Sequence, residues 1–134
     1  MNLAFLPAIN VVDIPMIRQR VPMAARDTVF TSIAGAMRTL PLDPTKRVPL
    51  HHDLQGLYKC RFGSGLRPGE EDMQLAVFLD NETDTAVIWA VGFRDAYLPT
   101  DFYRLLRQRV EVERDLGTPG SALVGKTSRR RTKR

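Results

Sequence analysis

Six consecutive apolar residues, Ala86-Val87-Ile88-Trp89-Ala90-Val91, run into Gly92-Phe93-Arg94. A stretch with no polar residue to turn toward water reads as a β-strand covered on both faces. A second segment, Leu57-Tyr58-Lys59-Cys60-Arg61-Phe62, alternates instead. Lys59 and Arg61 share one face of that strand, and Tyr58, Cys60 and Phe62 share the other. Residues 74–79 make a third strand, and the polar turn Asp80-Asn81-Glu82-Thr83-Asp84 joins it to the apolar run, so residues 74–94 read as a hairpin. Two strands thereby present Lys59, Arg61 and Arg94, a set suited to an anionic ligand.

Helices flank the strands. Val29, Phe30, Ile33, Met37 and Leu40 recur at three- and four-residue spacing within residues 23–40. Pro22 suits the first turn of that helix, and Pro41 and Pro44 end it. A last helix is expected from about residue 99 to 116. Phe102, Leu106 and Val110 line its apolar stripe, with Arg104, Arg107 and Glu111 facing out. Before residue 23, Pro7, Pro15 and Pro22 break the chain repeatedly, and Val11, Val12 and Ile14 offer at most a short strand. The expected organisation is an irregular arm over residues 1–22, one α+β domain over 23–116, and a disordered basic tail over 117–134.

The formal charge of +5 belongs to that tail. Lys126, Arg129, Arg130, Arg131, Lys133 and Arg134 lie within nine residues that contain no acid. Removing those six charges leaves residues 1–125 at −1. A cationic site in the body must therefore come from local clustering. The tail itself has three readings: sequence-independent attraction to nucleic-acid phosphate, a solubilising end, or a strand of charge bound by an acidic partner segment. Cys60 is the only cysteine, so no internal disulfide and no Cys-rich metal motif is expected. No apolar run approaches a membrane span and no secretory signal is evident, which favours a cytoplasmic protein. His51-His52 invites an acid–base reading, because histidine titrates near neutrality, against that of a solvated loop pair.

Two segments, taken in order after an amphipathic helix, carry a resemblance. The first is Asp53-Leu54-Gln55-Gly56-Leu57-Tyr58-Lys59-Cys60-Arg61-Phe62-Gly63, and the second is Ala90-Val91-Gly92-Phe93-Arg94 followed by a nearby tyrosine. They resemble the "L-x-G-x-Y-K-x-R-x-G" and "V-G-x-R…Y" strands of the RelE/ParE superfamily of toxins from toxin–antitoxin modules, on the RelE/HigB-like side. The similarity spans roughly residues 26–103.

The resemblance implies an α+β fold: a small, curved, mainly antiparallel sheet with N-terminal helices on one face and a C-terminal helix. It implies a ribosome-dependent endoribonuclease that cuts mRNA without metal or cofactor and blocks translation. A cognate antitoxin would be the partner, beside the ribosome and mRNA. The ParE-like branch inhibits DNA gyrase instead, and a third possibility is an inactive member that only binds RNA or a partner. Carried over by position, the catalytic set falls on Lys59, Arg61, Arg67, Arg94 and Tyr97, with Tyr103 as the other choice of tyrosine. In that chemistry Arg61 and Arg94 would clamp phosphate oxygens and Lys59 would act as base. Arg129, Arg130 and Arg131 would add RNA contacts. The family places its turn arginine in a tight turn, whereas Arg67 is followed here by Pro68-Gly69-Glu70-Glu71-Asp72.

Overall fold

The computed structural model describes residues 1–96, 99–118, 120–121 and 124–125. Strand β1 (Asn2–Phe5) opens the chain. A single π-type turn, Ile9–Asp13, leads into helix α1 (Ile14–Arg20), and helix α2 (Arg26–Thr39) follows. Then come β2 (Val48–Pro49), β3 (Leu57–Phe62), β4 (Met73–Asp80), β5 (Thr85–Phe93) and helix α3 (Pro99–Leu116). The strands form one sheet in the order β1-β5-β4-β3-β2. Strands β2 to β5 are antiparallel, and β1 runs parallel to β5. This is the expected α+β class, with a mixed sheet between two helical layers.

Alternation along the strands builds the two layers. Cys60, Phe62, Met73, Leu75, Val77, Ile88, Val91 and Phe93 turn to one face. There they meet Ile17 of α1 and the α2 stripe of Val29, Ile33 and Ala36, with Phe30, Met37 and Leu40 packed alongside. The other face carries Leu57, Ala76, Phe78, Trp89 and Ala90, covered by Phe102, Leu106 and Val110 of α3. Both expected helical stripes therefore find the sheet, each worth several buried side chains at roughly 1.5–3 kcal/mol apiece.

Strict alternation fails at one place. Ala76 pairs with Ala90 but Val77 pairs with Ile88, so Trp89 is an extra residue in β5. This bulge puts two successive side chains, Trp89 and Ala90, on the α3 face. It also coincides with the point where β1 stops covering the edge of β5, since their register ends at Phe5 and Ile88. Beyond it, Asp13 and Arg109 satisfy the exposed backbone. Arg109 donates two bonds to the Asp13 carboxylate at 2.8 and 2.6 Å. Arg109 Nη1 also donates to the Trp89 carbonyl at 2.9 Å, and the Val91 N–H donates to Asp13 Oδ2 at 3.0 Å. Both side chains are buried, so the π-type turn, the bulge and α3 meet in one network.

The N-terminal segment corrects the expectation of an irregular arm. Residues 2–5 are a strand, and residues 11, 12 and 14 lie in the π-type turn and α1. The prolines punctuate this segment: Pro15 sits in the first turn of α1, where a missing N–H costs nothing. Described residues after α3 also pack. Ser121 and Val124 are buried, and the Gly125 N–H donates to the Gln55 carbonyl at 2.7 Å. Beyond the expected end of the domain at residue 116, Ser121, Val124 and Gly125 are thus packed against the body. Residues 126–134, including Arg129, Arg130 and Arg131, lie outside the described residues, as does Tyr97.

The network predicts an asymmetric mutational response. Asp13→Asn or Arg109→Met alone should cost about 3–5 kcal/mol in urea unfolding, because each strands a buried charge. The double Asp13→Leu/Arg109→Met variant should cost clearly less than the sum. It should still fall short of the parent, since the Trp89 carbonyl and Val91 N–H lose their partners.

Candidate functional site

Leu50 and Leu54 drive into the core on the α3 face, each almost wholly buried. Between them His51, His52 and Asp53 stay exposed. The loop is held tight: the Leu50 N–H donates to the Leu57 carbonyl, Leu54 N–H to the His51 carbonyl, and Gln55 N–H to the His52 carbonyl. His52 adopts φ 58°, a left-handed backbone that a side chain bearing Cβ enters at a cost. Two buried leucines and a strained turn therefore fix a pair of imidazoles at the sheet edge.

Lys59 faces the same space. Its position on β3 opposite Val48 and Ala76 puts it on the α3 side of the sheet. Its Nζ lies 3.5 Å from Tyr103 Oη and 5.8 Å from the Tyr103 ring centroid. Both side chains are half-buried. Arg107, one helical turn after Tyr103, pairs with Asp53 at 3.7 Å and ties α3 to the loop. Together Lys59, Tyr103, His51, His52, Asp53 and Arg107 line a groove of about 410 Å³ floored by Leu50 and Leu54. Arg61 stands exposed two residues further along β3, on the same face as Lys59.

Arg67 and Arg94 lie elsewhere. They line a separate hollow of about 460 Å³ with Glu70, Glu71, Asp72 and Asp95. Arg67 pairs with Glu70 at 3.4 Å, and Arg94 donates to the Glu71 carbonyl at 2.9 Å. Asp72 is structural: it accepts from the Ser64 N–H and hydroxyl, both at 2.7 Å, and shapes the loop that carries Arg67. The insert thus engages both arginines, Arg67 through the Glu70 carboxylate and Arg94 through the Glu71 backbone carbonyl. Of the residues expected at one site, Lys59 and Tyr103 come together, Arg61 lies on the same strand face outside the groove lining, and Arg67 and Arg94 form a second group.

His51 and His52 are an exposed loop pair, as one of the two sequence readings has it, and Arg107 faces outward as expected; the structure adds that all three line the groove. The signal that points to them is the pattern Leu-His-His-Asp-Leu, in which two apolar anchors bracket a polar triplet. Cys60 projects to the opposite face and is fully buried. Burial pushes its thiol up to about 11, so it is a core residue and no nucleophile. Among the described residues, no group of three or more His, Cys, Asp or Glu is placed to hold a metal ion. No described helix is long and apolar enough to cross a membrane.

No protein-family model and no curated protein matches the chain. Three solved structures are similar to it. One is the conserved hypothetical protein HP0892 from Helicobacter pylori, at 17% identity over 71% of this chain and 96% of that one, with a TM-score of 0.42. Another is the toxin–antitoxin complex RelBE2 from Mycobacterium tuberculosis, at 21% identity over 69% and 96%, with a TM-score of 0.43. The third is a mutant of the E. coli toxin RelE in the free state, at 13% identity over 80% and 95%, with a TM-score of 0.42.

Two outcomes follow from this geometry. His52→Gly should keep or raise thermal stability, whereas β-branched His52→Val should lower it by about 1–3 kcal/mol. Cys60 in the native protein should resist alkylation at pH 8 and react only on unfolding. Because the folded thiol ionises later than the unfolded one, its contribution to stability should fade as pH rises from about 9 toward 11.

Proposed function

We propose that the Lys59 groove is the active site of a metal-independent endoribonuclease, a toxin of the RelE/HigB type that cuts ribosome-bound mRNA and is held in check by an antitoxin. The observation that carries this reading is the convergence of Lys59, Tyr103, His51, His52 and Arg107 on one groove. Lys59 and Arg61 belong to the strand whose sequence resembles that family, and the groove lies where that strand meets the last helix.

The reaction needs a 2′-hydroxyl to attack its own phosphate. The O2′–P bond forms, the P–O5′ bond breaks, and a 2′,3′-cyclic phosphate and a 5′-hydroxyl result. One group must take the 2′ proton and another must protonate the departing O5′. Imidazole titrates near neutrality, and a lysine amine ordinarily does not, so His51 and His52 suit the two proton transfers. Lys59 and Arg107 then supply charge to the phosphate oxygens as the pentavalent state develops. Arg61 is placed to hold a neighbouring phosphate. Tyr103, steadied by Lys59, offers a ring on which a base stacks. Ribosome-held RNA would arrive already oriented, which lets a shallow, half-open groove suffice.

Cell-free translation tests the reading. The parent protein should arrest synthesis and leave cyclic-phosphate ends on ribosome-bound mRNA, in the presence of EDTA. His51→Ala and His52→Ala should each lower the cleavage rate by roughly 10²–10⁴-fold, and Lys59→Ala should do likewise, with the fold intact by circular dichroism. Full toxicity in the Lys59→Ala/His52→Ala protein, together with loss of gyrase supercoiling activity, would replace this reading with the gyrase-directed one.

A further inference from the structure

The loop that carries His51 and His52 is strained, since His52 sits at φ 58°. A strained backbone persists only where its surroundings over-determine it. The bonds from the Leu54 N–H to His51 and from the Gln55 N–H to His52 lie within the loop and are lost with it. Support must therefore come from outside. Strand β3 gives one bond, from the Leu50 N–H to the Leu57 carbonyl, and described residues after α3 give more.

Gly125 meets the loop directly. Its N–H donates to the Gln55 carbonyl at 2.7 Å. A Cβ there would stand 2.7 Å from the Asp53 carbonyl oxygen and 3.2 Å from the Asp53 Cα, so only glycine brings the two backbones this close. Its φ of 78° favours glycine as well. Val124, the preceding residue, is fully buried in the apolar cluster that holds Leu50 and Leu54.

Helix α3 secures Val124 and Gly125 in turn. Arg114 Nε donates to the Ser121 carbonyl at 3.3 Å and its Nη2 to the Val124 carbonyl, so one guanidinium bridges both. The buried Ser121 hydroxyl donates to the Glu113 carbonyl at 3.2 Å. The Thr118 hydroxyl donates to Glu113 Oε1 at 2.6 Å. On the same helix Arg107 pairs with Asp53. Helix α3 thus reaches the histidine loop twice, once by Arg107 in the groove and once through Arg114, Val124 and Gly125. None of these last three lines the groove.

We propose that Arg114, Val124 and Gly125 form a clasp that holds His51 and His52 in the geometry from which protons move, which makes Arg114 and Gly125 positioning residues. This role rests on the reading of the groove as a nuclease site. It adds that the site's histidines are set by residues that touch no substrate. A reacting group displaced by about 1 Å can lose roughly 10²-fold in rate, so a small slackening of the clasp is enough to be measured.

Full-length Gly125→Ala places a methyl group against Asp53. Gly69→Ala is its control, since Gly69 has φ 79° but nothing within 4 Å of an added Cβ. Amide exchange reads the loop, and cleavage of ribosome-bound mRNA reads its chemistry. Gly125→Ala should lower protection of the Leu54 and Gln55 amides by roughly tenfold or more, while the β4 and β5 amides stay protected. Its saturating cleavage rate should fall by roughly 10–10²-fold at an unchanged half-saturating concentration, because positioning acts in the transition state. Gly69→Ala should change neither. Arg114→Ala should repeat the loss with Gly125 in place. Arg114→Lys, which can donate to one carbonyl but not bridge two, should recover part of it. Parent-like loop protection and rate in Gly125→Ala and Arg114→Ala would overturn the clasp, as would equal losses in Gly69→Ala or a fall in protection shared by β4 and β5. If the parent protein cuts no mRNA while Gly125→Ala frees the loop amides, the nuclease reading fails and the clasp stands as the holder of the loop. If the parent cuts and Gly125→Ala cuts equally well, the clasp fails and the nuclease reading stands.

Discussion

The fold turns on a buried ion pair. Asp13 and Arg109 lie on opposite sides of the sheet's edge in sequence terms, one before the first helix and one in the last. They meet because the bulge at Trp89 leaves a carbonyl and an N–H with no strand to bond. A charge removed from water is costly, and here the carboxylate accepts three bonds and the guanidinium donates three, which offsets that cost. The geometry is bidentate, so it sets orientation as well as contact. Through Arg109 it fixes the rotation of α3 about its axis. Tyr103 and Arg107 on the same helix are thereby aimed at the groove.

The two faces of the sheet divide the labour. The face under α1 and α2 is apolar throughout β3, β4 and β5, and that layer behaves as a conventional core. The α3 face is apolar only in its middle. Toward β2, which is only two residues long, it gives way to Lys59, Arg61 and the bracketed histidines. A short edge strand leaves space, and the space is where the charged residues gather. The acid-bearing loop over residues 70–72 works in the other direction, engaging Arg67 and Arg94 in a hollow of their own.

Much of this was legible before any coordinates. Strands over 57–62 and 74–79, the hairpin, both amphipathic helices and the shared face of Lys59 and Arg61 follow from periodicity, a local property. The N-terminal segment was not legible, because prolines read as breaks when they stand at element boundaries and because β1 is stabilised by pairing with residues 85–88, far along the chain. The bulge was hidden inside a uniformly apolar run, where a one-residue slip leaves no trace in hydropathy. The role of the residues after 117 was hidden too, since Gly120 and Gly125 look like generic breakers until Phe78 and Asp53 are seen against them.

The sequence by itself determined the apolar faces of α2, α3 and β3 to β5, and that positive charge is concentrated in the last nine residues. Those properties depend on spacing and composition within a few residues. The tertiary structure alone decided which cations share a site. Lys59 joined Tyr103 and the histidines, while Arg67 met the Glu70 carboxylate and Arg94 the Glu71 backbone carbonyl of a neighbouring loop. Strand order, bulge phase and the rotation of α3 set those neighbours. Each is a long-range choice made by satisfying backbone groups and filling volume, which no local pattern encodes.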